Sequence, residues 1–232
     1  MVNTAIILAG GRGTRLKPLT DTLPKPLIPV HGKPLIEHLI ALFKKFCVHD
    51  IYISVGYRKE QIKNCIGNGQ ELGINAHYIE EHEPLGTAGC LRLHTPKNPF
   101  FMSNGDELKN VNLNDMIAFH KSHSGIATLA LLEVEDPTQY GVARMQDSRI
   151  AEFVEKPRRE DAPSTLINSG LYLFDPGIVD YVPPGFAMLE KDVFPKLAAE
   201  GKLYGFPFRG QWFDTGTPER YAQALREWRG ID

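Results

Sequence analysis

Residues 8–32 constrain the fold more than any other stretch of the chain. They read Leu8-Ala9-Gly10-Gly11-Arg12-Gly13-Thr14-Arg15-Leu16, then a short polar run, then Pro24-Lys25-Pro26. The apolar run Ala5 to Leu8 ahead of them, bounded by glycine, has the form of a strand buried on both faces. A strand that empties into a glycine-dense turn carrying cations describes a cradle for phosphate. Glycines lack Cβ, so backbone amides can close on phosphate oxygens. Arg12, Arg15 and Lys25 add the charge that amides lack, and an arginine can grip two oxygens at once. The turn is neither of the two common glycine-rich nucleotide motifs. No G-x-x-x-x-G-K-[ST] string occurs, and Leu16 stands where a dinucleotide fingerprint needs its third glycine. A plain structural loop is the remaining reading, and Arg15 together with Pro24-Lys25-Pro26 argues against it.

Downstream, apolar residues recur at helical spacing over Leu35 to Phe46, with Pro34 tolerated in a first turn. Ile51 to Val55 reads as a strand, Lys59 to Ile66 as a helix and Ala76 to Ile79 as a third strand. Such alternation predicts parallel strands covered by helices. Pro99 to Asp106 gives a further buried strand that ends in a polar tip, and Leu113 to His120 returns as a helix. Ligands in open α/β sheets sit beyond the carboxyl ends of strands, so the cradle and Asp106 can face one site. After about residue 125 the strands Ile126 to Val134, Val142 to Met145, Ile150 to Val154 and Leu166 to Phe174 are separated mostly by short turns, which predicts a more mixed sheet. A helical pattern over Met188 to Ala199, a strand near Leu203 to Phe208 and a helix from Pro218 to Trp228 complete the chain.

The chain has 232 residues, 42% of them apolar and 23% charged, with a net charge of −2. This balance fits a globular protein and argues against a nucleic-acid-coating one, so anion binding must come from local basic residues. No stretch approaches the length of a membrane span and the start has no basic leader. Cys47, Cys65 and Cys90 are odd in number and far apart, which argues against a disulfide framework or zinc ribbon and for a reducing, cytoplasmic setting. His120 and His123 lie three apart on a helix without an evident third ligand, and Trp212 and Trp228 read as packing residues.

Gly10-Gly11-Arg12-Gly13-Thr14-Arg15-Leu16 followed by Pro24-Lys25-Pro26 resembles the signature of the sugar-1-phosphate nucleotidylyltransferases, G-G-x-G-T-R-L and then P-K-P. The resemblance implies a three-layer α/β/α fold with a Rossmann-like, mixed but mostly parallel sheet. It implies that Leu8, Ala9, Gly10, Gly11, Gly13 and Thr14 hold a nucleoside triphosphate while Arg15 and Lys25 act on its phosphates. Asn104-Gly105-Asp106 and Trp212-Phe213-Asp214-Thr215-Gly216-Thr217 match, in order, the family's two aspartate-bearing strings, so Asp106 and Asp214 would hold Mg²⁺. Taken alone, Asp106 fits a turn and Asp214 a turn before the last helix.

The same resemblance assigns sugar recognition to the second half. Glu155-Lys156-Pro157 is similar to the family's E-K-P, Asn168-Ser169-Gly170 to its N-x-G and Tyr140-Gly141 to its Y-G, so Gly141, Glu155, Lys156 and Asn168 would bind the sugar phosphate. Pro84-Leu85-Gly86-Thr87-Ala88-Gly89 stands where the family reads the base and is similar to the form in mannose-1-phosphate guanylyltransferases. Pro84, Gly86, Thr87 and Ala88 are therefore the expected base contacts. Read without the family, that stretch is a turn leading into a helix N-terminus.

The expectation is one nucleotidyltransferase domain over 1–232, with a nucleotide-binding half at 1–110 and a sugar-binding half with the C-terminal helix at 111–232. No hexapeptide-repeat β-helix pattern follows the last helix. The expected reaction joins an NTP, GTP first, to a sugar 1-phosphate, mannose 1-phosphate first. The nearest alternatives are heptose-1-phosphate guanylyl transfer and N-acetylmuramate-1-phosphate uridylyl transfer. A non-catalytic nucleotide-sugar-binding subunit would be expected to have lost Arg15, Lys25, Asp106 or Asp214. A glycosyltransferase would carry Asp-x-Asp where this chain has Asp106-Glu107-Leu108. The expected partners are the two substrates, with neither nucleic acid nor membrane, and a homodimer is among the compatible assemblies.

Overall fold

The computed structural model describes residues 2–231. The first strand, β1 (Thr4–Leu8), runs into the glycine turn, which is followed by three short 3-10 turns at Thr14–Leu16, Leu19–Asp21 and Lys25–Leu27. A small hairpin, β2 (Pro29–Val30) and β3 (Lys33–Pro34), leads into α1 (Leu35–Lys45). Then come β4 (Asp50–Val55), α2 (Lys59–Ile66), β5 (Asn75–Glu80), the single turn α3 (Cys90–Leu93), β6 (Phe100–Asn104), β7 (Glu107–Lys109) and α4 (Leu113–Lys121). The second half holds β8 (Ala127–Glu133), β9 (Gly141–Gln146), β10 (Arg149–Glu155), β11 (Leu166–Phe174), α5 (Phe194–Ala199), β12 (Leu203–Pro207), β13 (Trp212–Asp214) and α6 (Pro218–Glu227).

Nine of these strands form one sheet in the order β5-β4-β1-β6-β11-β8-β12-β10-β9. The first four are mutually parallel. Beyond them, β11 is antiparallel to both β6 and β8, β12 is parallel to β8, and β10 is antiparallel to β12 and β9. Seven strands therefore share one direction, and β10 and β11 oppose them. The second half has the more mixed texture that its short turns predict.

Helices cover both faces because the strands are apolar on both. In β1, Ile6 joins Phe100, Tyr172 and Phe194 on one side, while its neighbour Ile7 joins Ile36, Phe43 and Phe101 on the other. The period-2 alternation of a strand thus feeds two cores from one pair of residues. Helix α1 buries Ile36, Leu39, Ile40 and Phe43 against the second of these, and Lys44 and Lys45 in its last turn complement the helix dipole. Each such side chain contributes about 1.5–3 kcal/mol by leaving water.

Three local departures from the sequence reading matter for the site. The pattern over Met188 to Ala199 is a π-helical turn at Leu189–Val193 followed by α5, so the helical face rotates part-way along. Asp214 is the last residue of strand β13 rather than part of a turn, and it pairs with Glu107 of β7. The helix after Gly89 is a single turn of four residues, too short to act as an anion-binding N-terminus.

Candidate active site

A cavity of about 460 Å³ opens along the carboxyl ends of the parallel strands. Leu8, Ala9, Gly10, Gly11 and Gly13 line one bank together with Arg15 and Lys25. Gly13 has φ +61°, and a Cβ there would press on Thr20 Cγ2 at 2.9 Å, so both the left-handed backbone and the close approach require glycine. Thr20 Oγ1 donates to Gly13 O at 2.9 Å and fixes the turn. Pro84, Gly86 and Thr87 line the cavity as well, while Thr14 and Ala88 do not. Thr14 points to solvent at the start of a 3-10 turn, and Ala88 is fully buried, its amide donating to Ala187 O at 2.9 Å.

Asp106 and Asp214 converge across this cavity. Lys25, with only 8% of its side chain exposed, sets Nζ 2.6 Å from Asp106 Oδ2 and 3.9 Å from Asp214 Oδ1. The second aspartate is held from behind by Gly216 N at 2.7 Å and by a short contact from Arg220. Thr215 Oγ1 donates to Asp106 O at 2.8 Å, tying the two loops together. Burial works to raise the Asp106 carboxyl, yet the Lys25 charge and hydrogen bond outweigh it and hold the group below the ordinary range. At neutral pH Asp106 is therefore an anionic carboxylate against the nearly buried Lys25.

Under this pair lies an ion pair that the sequence reading passed over. Lys109, wholly buried, donates to Glu107 Oε2 at 2.9 Å, Ser103 Oγ at 3.1 Å, Ser169 O at 2.8 Å and Gly170 O at 3.1 Å. Glu107 also accepts from Asn104 Nδ2 at 2.8 Å and from Trp212 Nε1 at 3.3 Å. Burial pushes the Glu107 carboxyl up, and the Lys109 ammonium opposes this without cancelling it. Trp212 is thus hydrogen-bonded to Glu107 and Ser169 O and stacks edge-on at 5.3 Å against Tyr140, which lines the cavity, whereas Trp228 packs in a separate apolar cluster. Burial, with the Asp214 charge adding to it, pushes the Tyr140 hydroxyl up to about 12.

The opposite bank carries Gly141, Glu155, Lys156 and Asn168. The antiparallel register of β9 and β10 sets Gly141 directly across from Glu155, and Lys156 Nζ lies 3.0 Å from Glu155 Oε1. Asn168 Nδ2 donates to Tyr172 Oη at 2.9 Å while its Oδ1 accepts from Gly170 N at 3.0 Å, so the side chain is fixed at both ends. Lys156 has φ +48°, an uncommon backbone for a non-glycine residue and of the kind found at functional positions. Two further cavity acids, Glu81 and Glu190, had no sequence signal: Glu81 accepts from Ser54 Oγ at 2.6 Å and from Leu85 N at 3.2 Å, bracing the segment that follows it.

A family model described as nucleotidyl transferase matches residues 4–229. The chain belongs to that family. It is 39% identical over 231 residues to mannose-1-phosphate guanylyltransferase 1 of Arabidopsis thaliana, covering 96% of this chain and 63% of the relative. It is 38% identical over 226 residues to the mannose-1-phosphate guanyltransferase of Schizosaccharomyces pombe, covering 94% of this chain and 62% of the relative. The chain thus spans less than two thirds of the length of these curated relatives. Among solved structures, HddC from Yersinia pseudotuberculosis superposes with a TM-score of 0.83 at 28% identity, covering 98% of this chain and 100% of that one. A UDP-glucose pyrophosphorylase complexed with UDP-glucose gives 0.85 at 24% identity and shares the nucleotide-diphospho-sugar transferase fold. No helix among the described residues is long and apolar enough to cross a membrane.

Proposed function

We propose that this chain transfers a guanylyl group from GTP to mannose 1-phosphate, forming GDP-mannose and pyrophosphate. The observation that carries the reading is the convergence of Asp106, Asp214 and Lys25 beside the glycine turn, in a cavity whose far bank holds Glu155, Lys156 and Asn168. The glycine turn and the Pro84 to Thr87 segment belong to the nucleotide half, 1–110, and the far bank to the sugar half, 111–232. Relatives named for mannose-1-phosphate guanylyl transfer support the choice of base and sugar, and a structure titled as HddC complexed with GMP-PN supports a guanine nucleotide.

The donor set suits Mg²⁺. Two carboxylates offer hard oxygen ligands, and Lys25 Nζ bridging them marks a position that favours positive charge. Among the described residues no set of three protein ligands gathers, which fits an ion that takes its remaining ligands from phosphate and water. Asp106 and Asp214 would hold it, and it would supply charge neutralisation at the phosphates.

The chain's own residues do the rest by position and charge. The amides of Gly10, Gly11 and Gly13 face the triphosphate, and Arg15 and Lys25 offset the charge that makes one phosphate resist another. An oxygen of the sugar phosphate bonds to the α-phosphorus as the α–β bridging bond breaks and pyrophosphate departs. The attacking phosphate is already ionised at neutral pH, so no general base is required. Unpaired Cys47, Cys65 and Cys90 are consistent with action in a reducing cytoplasm. Pyrophosphate release, measured with Mg²⁺ and each of GTP, UTP, dTTP, CTP and ATP against mannose, glucose, heptose and N-acetylmuramate 1-phosphates, tests the assignment. GTP with mannose 1-phosphate should lead in kcat/KM by at least about tenfold; a different leading pair overturns it.

A further inference from the structure

We propose that a second cavity, enclosed by α1, the 3-10 turn Gln70–Leu72 and the chain end at 228–231, binds an organic phosphomonoester. It holds about 570 Å³, more than the active-site cavity, and shares no lining residue with it. Small-molecule sites fall in this size range. The inference stands apart from the nucleotidyl-transfer reading.

The cavity is cationic. Lys33 of β3, Lys44 of α1 and Arg229 beyond α6 reach it from three separate parts of the fold. Glu37 and Glu71 line it too, and neither forms an ion pair with any of the three. The excess of one positive charge suits a single phosphate group rather than a polyphosphate chain. The field on the wall has the same sign. Burial lowers the His38 imidazole and its bond to the Val30 carbonyl opposes this; Lys33 and His31 then lower it again, each by more than Glu37 raises it. Between the charges, Ile40, Ala41, Leu72, Trp228 and Ile231 supply apolar surface, so an anion with an apolar body fits better than a bare ion.

The walls are set without a ligand. His38 places Nε2 3.0 Å from Val30 O and accepts from Trp228 Nε1 at 3.3 Å through Nδ1, which ties α1 to the chain end. The Gln211 side chain clasps that end twice, accepting from Arg229 N at 2.8 Å and donating to Gly230 O at 3.3 Å. Lys44 Nζ donates to Leu72 O at 2.9 Å, which ties α1 to the 3-10 turn and leaves two protons to give. A site whose walls are already held loses little to ordering when its ligand arrives.

Trp228, one of the chain's two tryptophans, lines this cavity and reports on it. In Trp212→Phe it is the sole indole, so its fluorescence separates this cavity from the active site. Titration with phenyl phosphate should give a saturable change that weakens with added salt. The Kd should be at least about tenfold lower than for phenol or for inorganic phosphate. Lys44→Gln combined with Arg229→Gln should raise the Kd for phenyl phosphate at least about tenfold, leave the phenol response as it was and preserve the thermal midpoint. Should Trp212→Phe fail to fold, titration calorimetry on the otherwise unchanged chain makes the same comparison, and the double variant should lose one of the phenyl phosphate sites that wild type shows. No saturable Trp228 response, a Kd indifferent to the two cations, an unchanged calorimetric site count, or inorganic phosphate bound as tightly as its ester each overturns the proposal.

Discussion

At the residue scale the charge arrangement makes direct demands. Asp106→Asn or Asp214→Asn should lower kcat by at least about 100-fold, the range seen when one electrostatic stabiliser is removed, while circular dichroism stays that of wild type; pyrophosphate release reads this, and near-normal rates in either variant would remove the two acids from the reaction. Lys109 makes a contrasting case, because it touches no solvent and holds four acceptors. Lys109→Met leaves Glu107 buried without its counter-charge and should destabilise the fold by about 3–5 kcal/mol in urea titration. Arg15 and Lys25 stood out as cations around a glycine-dense turn after a buried strand, whereas Asp106 and Asp214 stood out only through the resemblance of their strings to those of the family, each alone reading as a turn residue. Glu107 and Lys109 were legible only in part: two charges at i and i+2 around Leu108 are the period of a strand face, but nothing in the sequence marks that face as buried. Glu190 was hidden altogether, because a helical reading treats an acid amid apolar residues as the solvent side.

At the scale of elements, the helices and long strands followed from apolar periodicity, and the short pieces did not. Strands β7 and β13 have three residues each and pair across more than a hundred positions, so no local pattern announces them. They set the two aspartates side by side, which is why the order of the strings was visible and their convergence had to come from the fold. Helix α6 stands directly behind this clip. Thr217 caps it by accepting from Arg220 N at 3.4 Å, and Arg220 reaches Asp214 from the same turn. Thr217→Ala should cost about 1 kcal/mol in stability, measured by denaturant midpoint, and should lower turnover more than other helix-end substitutions of equal thermal effect, because the frayed turn carries Arg220 away from Asp214. A turnover loss no greater than theirs would separate the cap from the site.

For the whole molecule, part of the acid sensitivity arises far from the cavity. Glu80, on the edge strand β5, takes hydrogen bonds from Lys59 and Lys63 of α2, and these hold its carboxyl down to about 2 from an ordinary 4.5. A group that titrates lower in the folded chain stabilises it above pH 4.5 and loses that contribution as pH falls toward 2. Glu80→Gln should therefore flatten the fall of stability with acid in that window and leave the profile above pH 6 parallel to wild type; an unchanged slope would show the lysines to be solvated rather than paired. The sheet itself has a different consequence. Both banks of the cavity hang from strands of one continuous array, joined where β11 runs against β6, so the spacing between donor and acceptor is a ruler written into the backbone. Side chains on either bank are free to drift without altering that ruler, and a lineage built on this scaffold can exchange one reactant for another while the reaction stays the same.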